Sequence, residues 1–180
     1  MNKVSGKISD FNLLSEDASR IVIGYGLTKV NKTLYEWQEV YIYKSQKNLV
    51  GFAEVKEAIL KDINEATDEK ILSGFKWTPE GGSAISVYLS NENQRNFSEA
   101  QRMASANAAI LPLTFKLGED EEGKPVYQTF ESAEELNSFY LSAFAYINQC
   151  LNEGWQKKDS INWSEYEALY PQPEESNAGE

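Results

Sequence analysis

The stretch "SAEELNSFYLSAFAYINQCLNEGW", Ser132 to Trp155, decides the fold. Ser132 followed by Glu135 forms a capping box, and extra acid in the first turn favours the positive end of the helix dipole. Leu136, Phe139, Tyr140, Ala143, Phe144, Ile147 and Leu151 then recur at helical spacing and make a wide apolar stripe. Gly154 is placed to end the helix. Cys150 lies close to the stripe, where a buried structural thiol is expected. It is the only cysteine in the chain, so no intramolecular disulfide can form.

Upstream, "ILPLTFKLGEDEEGKPVYQTF" reads as a hairpin. Leu111, Leu113, Phe115 and Leu117 alternate, a Gly-bounded acidic turn follows, and Val126, Gln128 and Phe130 return. Before it comes "SNENQRNFSEAQRMASANAA", an Ala-rich helix with Ser90, Asn91 or Asn93 as N-cap, or Ser98 and Gln101 as a later capping box. Its modest apolar face is Phe97, Ala100, Met103 and Ala104. In "SAISVYLS" the alternation turns Ile85, Val87 and Leu89 inward and Ser86 and Tyr88 outward. "TDEKILSGFKW", Thr67 to Trp77, joins a helix to this second hairpin. Ile71, Leu72, Phe75 and Trp77 are expected to supply its core contacts. The helix it leaves is "GFAEVKEAILKDINEA", with Phe52, Val55, Ile59 and Ile63 in one stripe and Leu60 beside them.

The amino-terminal third has a different character. After a mixed, polar lead-in of about twenty residues, "RIVIGYGLTKV" and "TLYEWQEVYIYKS" are rich in β-branched and aromatic residues and read as an antiparallel hairpin. In its second strand Leu34, Glu36, Gln38, Val40 and Ile42 share one face, and Tyr35, Trp37, Glu39, Tyr41 and Tyr43 the other. Both faces carry bulk, so the pattern leaves open which one meets the core. Gly24 and Gly26 leave space that an aromatic from the neighbouring strand could fill. After Gln156 the pattern fades, with a short helix up to Tyr170 and disorder from about residue 171.

The expected fold is therefore α+β. A small antiparallel sheet built from the two β-hairpins after residue 70 packs against two or three helices, including the helix from Phe52 and one long C-terminal helix, and the amino-terminal hairpin either extends this sheet or forms its own small lobe. The expected organisation is an amino-terminal β-hairpin segment over 1–50, an α+β domain over 51–162 and a tail over 163–180.

The chain has 180 residues and a formal net charge of -11. That charge argues against an affinity built on phosphate neutralisation, so no nucleic-acid partner is expected. No run reaches the roughly 20 apolar residues of a membrane helix. The opening "MNKVSGKISDFNLL" lacks the apolar core of a signal peptide. Histidine is absent, which removes Ser-His and Cys-His catalysis and the usual zinc sites. "GEDEEGK" lacks the ligand spacing of a calcium loop and reads as a solvated hairpin tip. "GYG" at Gly24 to Gly26 sits inside an alternating strand with no following helix, and is no nucleotide motif. No pair of acids stands out as a glycosidase pair. The basic "QKKDS" is the ordinary polar end of a helix. No cofactor, no metal and no catalytic residue is expected, and the protein is read as a non-enzyme. The surface of interest is Tyr35, Trp37, Tyr41 and Tyr43, a platform for a partner protein or a sugar, because Tyr and Trp combine large area with a polar tip.

From about Phe52 to Ile161 the chain resembles a domain family of unknown function found in phage and prophage tail regions. The resemblance is carried by element order: "KDINEATDEKILSGF", the strand pair "GFKW" and "ISVYLS", the polar helix start "NENQRNF", "LPLTFKL" with a second short strand, and the long helix from Ser132. Tyr88, Leu89 and Ser90 match the family's aromatic-Leu pair ahead of a polar helix start. The longer acidic turn at Glu119 to Glu122 and the amino-terminal β segment depart from the pattern. The resemblance implies a non-enzymatic structural or accessory protein, tail-associated, acting through protein contacts with a second copy or a neighbouring tail protein. It also implies a bacterial cytoplasmic or virion-associated location. Two other classes are open. One is a carbohydrate-binding module using the Tyr/Trp strand. The other is an acidic inhibitor of a host nucleic-acid enzyme.

Overall fold

The computed structural model describes residues 2–44, 50–120 and 122–170. The carboxy-terminal stretch expected to be disordered from about residue 171 lies outside the described residues, as does Glu121 of the acidic turn. The chain divides into two compact units, one of residues up to Ala66 together with those from Gly154 onward, the other Thr67–Glu153.

The first unit contains a four-stranded antiparallel sheet in the order β1 (Asn2–Gly6), β4 (Tyr35–Tyr43), β3 (Arg20–Lys29), β2 (Leu14–Glu16). Its centre is the predicted hairpin, β3 (Arg20–Lys29) and β4 (Tyr35–Tyr43). Asn31 closes the turn, its side-chain oxygen accepting from the Thr33 and Leu34 N–H groups at 3.0 Å each. The polar lead-in supplies both edges. β1 (Asn2–Gly6) pairs with β4, and β2 (Leu14–Glu16) pairs with β3. The register answers which face of β4 meets the core. Val40 and Ile42 lie opposite Ile23 and Ile21, and all four pack with Val55, Ile59 and Ile63 of α1 (Phe52–Leu72). The α1 stripe is thus buried on this sheet, where the sequence alone placed it on the later hairpins. Long β-branched strands offer a wider apolar face than three-residue ones, and the stripe follows the area.

The second unit is built on two short hairpins and two helices. β5 (Phe75–Trp77) pairs with β6 (Ile85–Val87), and β7 (Leu113–Glu119) pairs with β8 (Pro125–Phe130). They form two separate two-stranded ladders. The Tyr88 N–H donates to the Leu117 carbonyl at 2.8 Å where the ladders meet. They approach so closely there that a Cβ on Gly118 would lie 2.3 Å from the Ser86 carbonyl oxygen. Gly74, at φ +79, makes the turn from α1 into β5, and a side chain there would strike the Val87 carbonyl.

α2 (Asn91–Ala106) starts at the first of its proposed caps. Ser90 Oγ accepts from the Asn93 N–H at 3.2 Å, and Ser98 falls inside the helix. α3 (Ala133–Asp159) has 27 residues. Ser132 Oγ caps it by accepting from the Glu135 N–H at 3.1 Å. The Glu135 carboxylate reaches past the cap to the Glu131 N–H, so the expected box is half made.

Expectations at five residues are corrected. Gly154 does not end α3. It is buried and helical, and the helix runs on to Lys157 and Lys158, which suit its negative end. Leu72, Met103 and Phe144 are exposed rather than in the core. Met103 and Phe144 stand at the margins of their helical stripes, away from the buried Phe97, Ala100 and Ala104 of α2 and Leu136, Phe139 and Ala143 of α3. Phe75 is half-buried and stacks on Tyr146, so truncating it should cost less than a fully buried phenylalanine. α4 (Trp163–Glu167) ends the described fold, anchored by the buried Tyr166.

Candidate functional site

Register puts the predicted aromatic row on the face of the first sheet that points away from α1. Tyr35 and Tyr41 are half-buried there, and Tyr43 is 45% exposed. Trp37 is only 3% exposed. The loop before β2 folds Phe11 edge-on against its indole, ring centroids 5.9 Å apart. Gly24 makes room for this, since a Cβ there would meet Phe11 and the Asn12 carbonyl. The space left by Gly24 is thus filled from a loop, not from the neighbouring strand.

Glu39 fixes the middle of the row. One carboxylate oxygen accepts from Trp37 Nε1 and the other from Tyr41 Oη, each at 3.1 Å. Asn2 donates to Tyr41 Oη at 2.7 Å, and the Arg20 guanidinium lies over the Tyr41 ring at 4.4 Å. Burial, and then the bond to Glu39, push the Tyr41 hydroxyl above its ordinary range. The centre of the row is therefore a satisfied network, and Trp37 presents little surface to a ligand. Tyr43 opens onto a cleft of about 530 Å³ whose walls include Glu54, Glu57, Lys61 and Glu65.

The second unit presents a different surface, one the sequence did not single out. Leu141 is 53% and Phe144 52% exposed on α3. Phe144 stacks on the half-buried Tyr140, ring centroids 6.2 Å apart. From Leu136 to Leu151 the helix carries no charged residue. The signal was present as a stripe too wide for the two small hairpins beneath it. Nothing in the pattern said which margin would stay uncovered.

The remaining sequence features have structural places. Cys150 is buried in the second core. The acidic turn is a hairpin tip, where Asp120 Oδ1 accepts from the Glu122 and Lys124 N–H groups at 2.9 and 2.8 Å. Among the described residues no group of three or more acids and cysteines is placed to hold a metal ion. No helix of those residues is long and apolar enough to cross a membrane.

The fold and these surfaces define a mixed α+β protein with an aromatic, hydrogen-bonded sheet face and an uncovered apolar helix face. Residues 54–175 match the family model described as Domain of unknown function (DUF4376), and the chain belongs to that family. The match begins inside α1 and leaves the four strands of the first sheet outside it. No curated protein and no solved structure matches the chain.

Proposed function

We propose that the protein is a non-enzymatic phage or prophage structural or accessory protein, tail-associated, that acts through protein–protein contacts. One observation carries the reading. α3 holds Leu141 and Phe144 in solvent on a helix face with no charge from Leu136 to Leu151. Interface cores have this composition, with aromatic residues enriched and charge depleted. The net charge of -11 makes an uncharged face the natural place for two copies, or a copy and another acidic protein, to meet. The tail setting rests on the resemblance of the element order from Phe52 to Ile161.

Light scattering across a concentration series tests the reading, together with co-purification of neighbouring tail proteins expressed alongside. A defined oligomer or a recovered tail protein is expected, and Leu141→Asp with Phe144→Asp should abolish it while far-UV circular dichroism stays unchanged. A chain that is monomeric at every concentration and recovers no tail protein sinks the proposal.

A further inference from the structure

We infer that the first unit takes an extended, lysine- or arginine-bearing peptide of a partner protein, which adds a strand to the free edge of β4. β1 covers β4 from Tyr35, opposite Gly6, only as far as Glu39, opposite Asn2. Leu34 and Lys44 flank β4, and both bond on the β3 side. The Leu34 carbonyl accepts from the Val30 N–H at 2.9 Å, and the Lys44 N–H donates to the Ser19 carbonyl at 3.0 Å. Successive residues of a paired strand point their N–H and C=O groups to opposite sides. Val40 and Ile42 therefore bond toward β3, and the main chain of Tyr41 and Tyr43 points to the other side, past the end of β1. No described main-chain group bonds to it there. A row of unpaired N–H and C=O groups is a template for an incoming strand. From Val40 to Tyr43 the strand carries no charge and no proline, the devices that close natural sheet edges.

The free edge opens into the cleft of about 530 Å³ between β4 and α1. A strand added in line with β1, antiparallel to β4, alternates its side chains. Residues opposite Tyr41 and Tyr43 share the face of the tyrosine rings. The residue opposite Ile42 faces α1, and the α1 wall sets its charge. Asp62 accepts from Tyr25 Oη and Glu54 from the Gly51 N–H. Glu57 and Glu65 are exposed, and Lys61, 3.7 Å from Glu65, is the only base lining the cleft among the described residues. A lysine or arginine facing α1 complements this wall, and an acidic strand is repelled by it. A second copy of this chain, with a net charge of -11, is disfavoured for the same reason. The surface lies on the first unit, and the inference does not rest on the α3 face.

A short capped peptide of alternating threonine and lysine, titrated into the full chain, tests the inference. In the free protein the Tyr41 and Tyr43 amides should exchange with solvent faster than those of Val40 and Ile42, and the peptide should protect them. With lysines facing α1, the threonines turn their N–H groups to β4 and the lysines turn theirs away. N-methylation of the threonines should therefore abolish binding, and N-methylation of the lysines should leave it intact. Glu57→Gln with Glu65→Gln changes two exposed residues and should weaken binding about tenfold, with far-UV circular dichroism unchanged. A threonine–glutamate peptide should not bind. The inference is overturned by no binding of the lysine peptide, by Tyr41 and Tyr43 amides as protected as Ile42 in the free chain, by loss of binding on methylating the lysines, or by equal affinity for the glutamate peptide. Protection that rises with protein concentration in the absence of peptide would assign the edge to a second copy and overturn it as well.

Discussion

The two units build their cores in opposite ways. In the second, rings pack on rings. Phe139 lies 4.9 Å from Trp77, 4.9 Å from Phe97 and 5.0 Å from Phe130, centroid to centroid, and Phe115 adds contacts to Phe97 and Phe130. In the first, the core is Ile21, Ile23, Val40, Val55, Ile59 and Ile63, and buried hydroxyls tie it together: Tyr25 to Asp62 and Tyr166 to Gly24. The difference follows from the sheets. Four paired strands bury enough aliphatic area to admit tyrosines whose hydroxyls must be met. Two separate two-stranded ladders, one of them only three residues long, offer less area, and large rings recover it with few residues. The first unit should therefore be sensitive to polar changes and to pH. The second should be sensitive to volume.

The largest effect is expected at the centre of the ring cluster. Phe139→Ala removes a fully buried ring that touches three others, and should lower stability by about 3–5 kcal/mol in urea unfolding. A loss below about 1 kcal/mol would show that the cluster collapses around the void, and that the second core is not the volume-sensitive one.

Tyr25→Phe tests the other side. It keeps the ring and deletes one hydrogen bond to a carboxylate, for an expected loss of about 1.5–3 kcal/mol. Its pH dependence sharpens the contrast. Burial, and then the bond to Asp62, hold the Tyr25 hydroxyl far above its ordinary range. Burial first, and the neighbouring Glu165 second, push Tyr166 up to about 12. Both folded values lie above the unfolded value of about 10, so their contribution is complete below pH 10 and is lost as pH rises through the folded values. Wild-type stability should decline above pH 10, and Tyr25→Phe should decline less steeply. Parallel slopes would remove the pH-sensitive reading of the first core.

A smaller loss is expected at a helix end in the second unit. Ser90→Ala deletes the cap of α2 and should cost about 1 kcal/mol by thermal unfolding. A loss as large as that of Phe139→Ala would mean that the polar end of α2, not the rings, limits that unit.

The element order was legible because it is local. Ser132 with Glu135, the alternation of Leu113 to Leu117, and Gly74 between helix and strand are all read within a few residues of themselves. What failed needed long-range knowledge. The helical period placed Phe144 and Met103 on apolar stripes, but their burial depends on how far the short hairpins extend. Gly154 carries the signature of a helix end, and only its burial within α3 overrides that signature. The aromatic row was found, yet Trp37 is enclosed by Phe11, which lies 26 positions away and gives no periodic signal.

The smallest effect is expected at the loop into β3. One Asp17 oxygen accepts from the Ser19 N–H and hydroxyl at 2.8 Å each and from the Arg20 N–H at 2.9 Å. The other accepts from Arg20 Nε at 3.2 Å. The Ser19 N–H above all, then its hydroxyl and Arg20, hold the carboxyl well below the usual carboxylate range. A depressed carboxyl stabilises the fold above its unfolded value of about 3.9, and that contribution is lost as pH falls toward the folded value. Asp17→Asn keeps an oxygen to accept the loop N–H groups and removes the charge. It should be slightly less stable than wild type at pH 7, and the gap should narrow as pH drops below 4. The site is exposed, so the gap is small and salt should shrink it. A gap that persists unchanged through pH 2–4 would mean that geometry, not charge, holds this loop. The pH sensitivity of the first unit would then belong to its buried tyrosines alone.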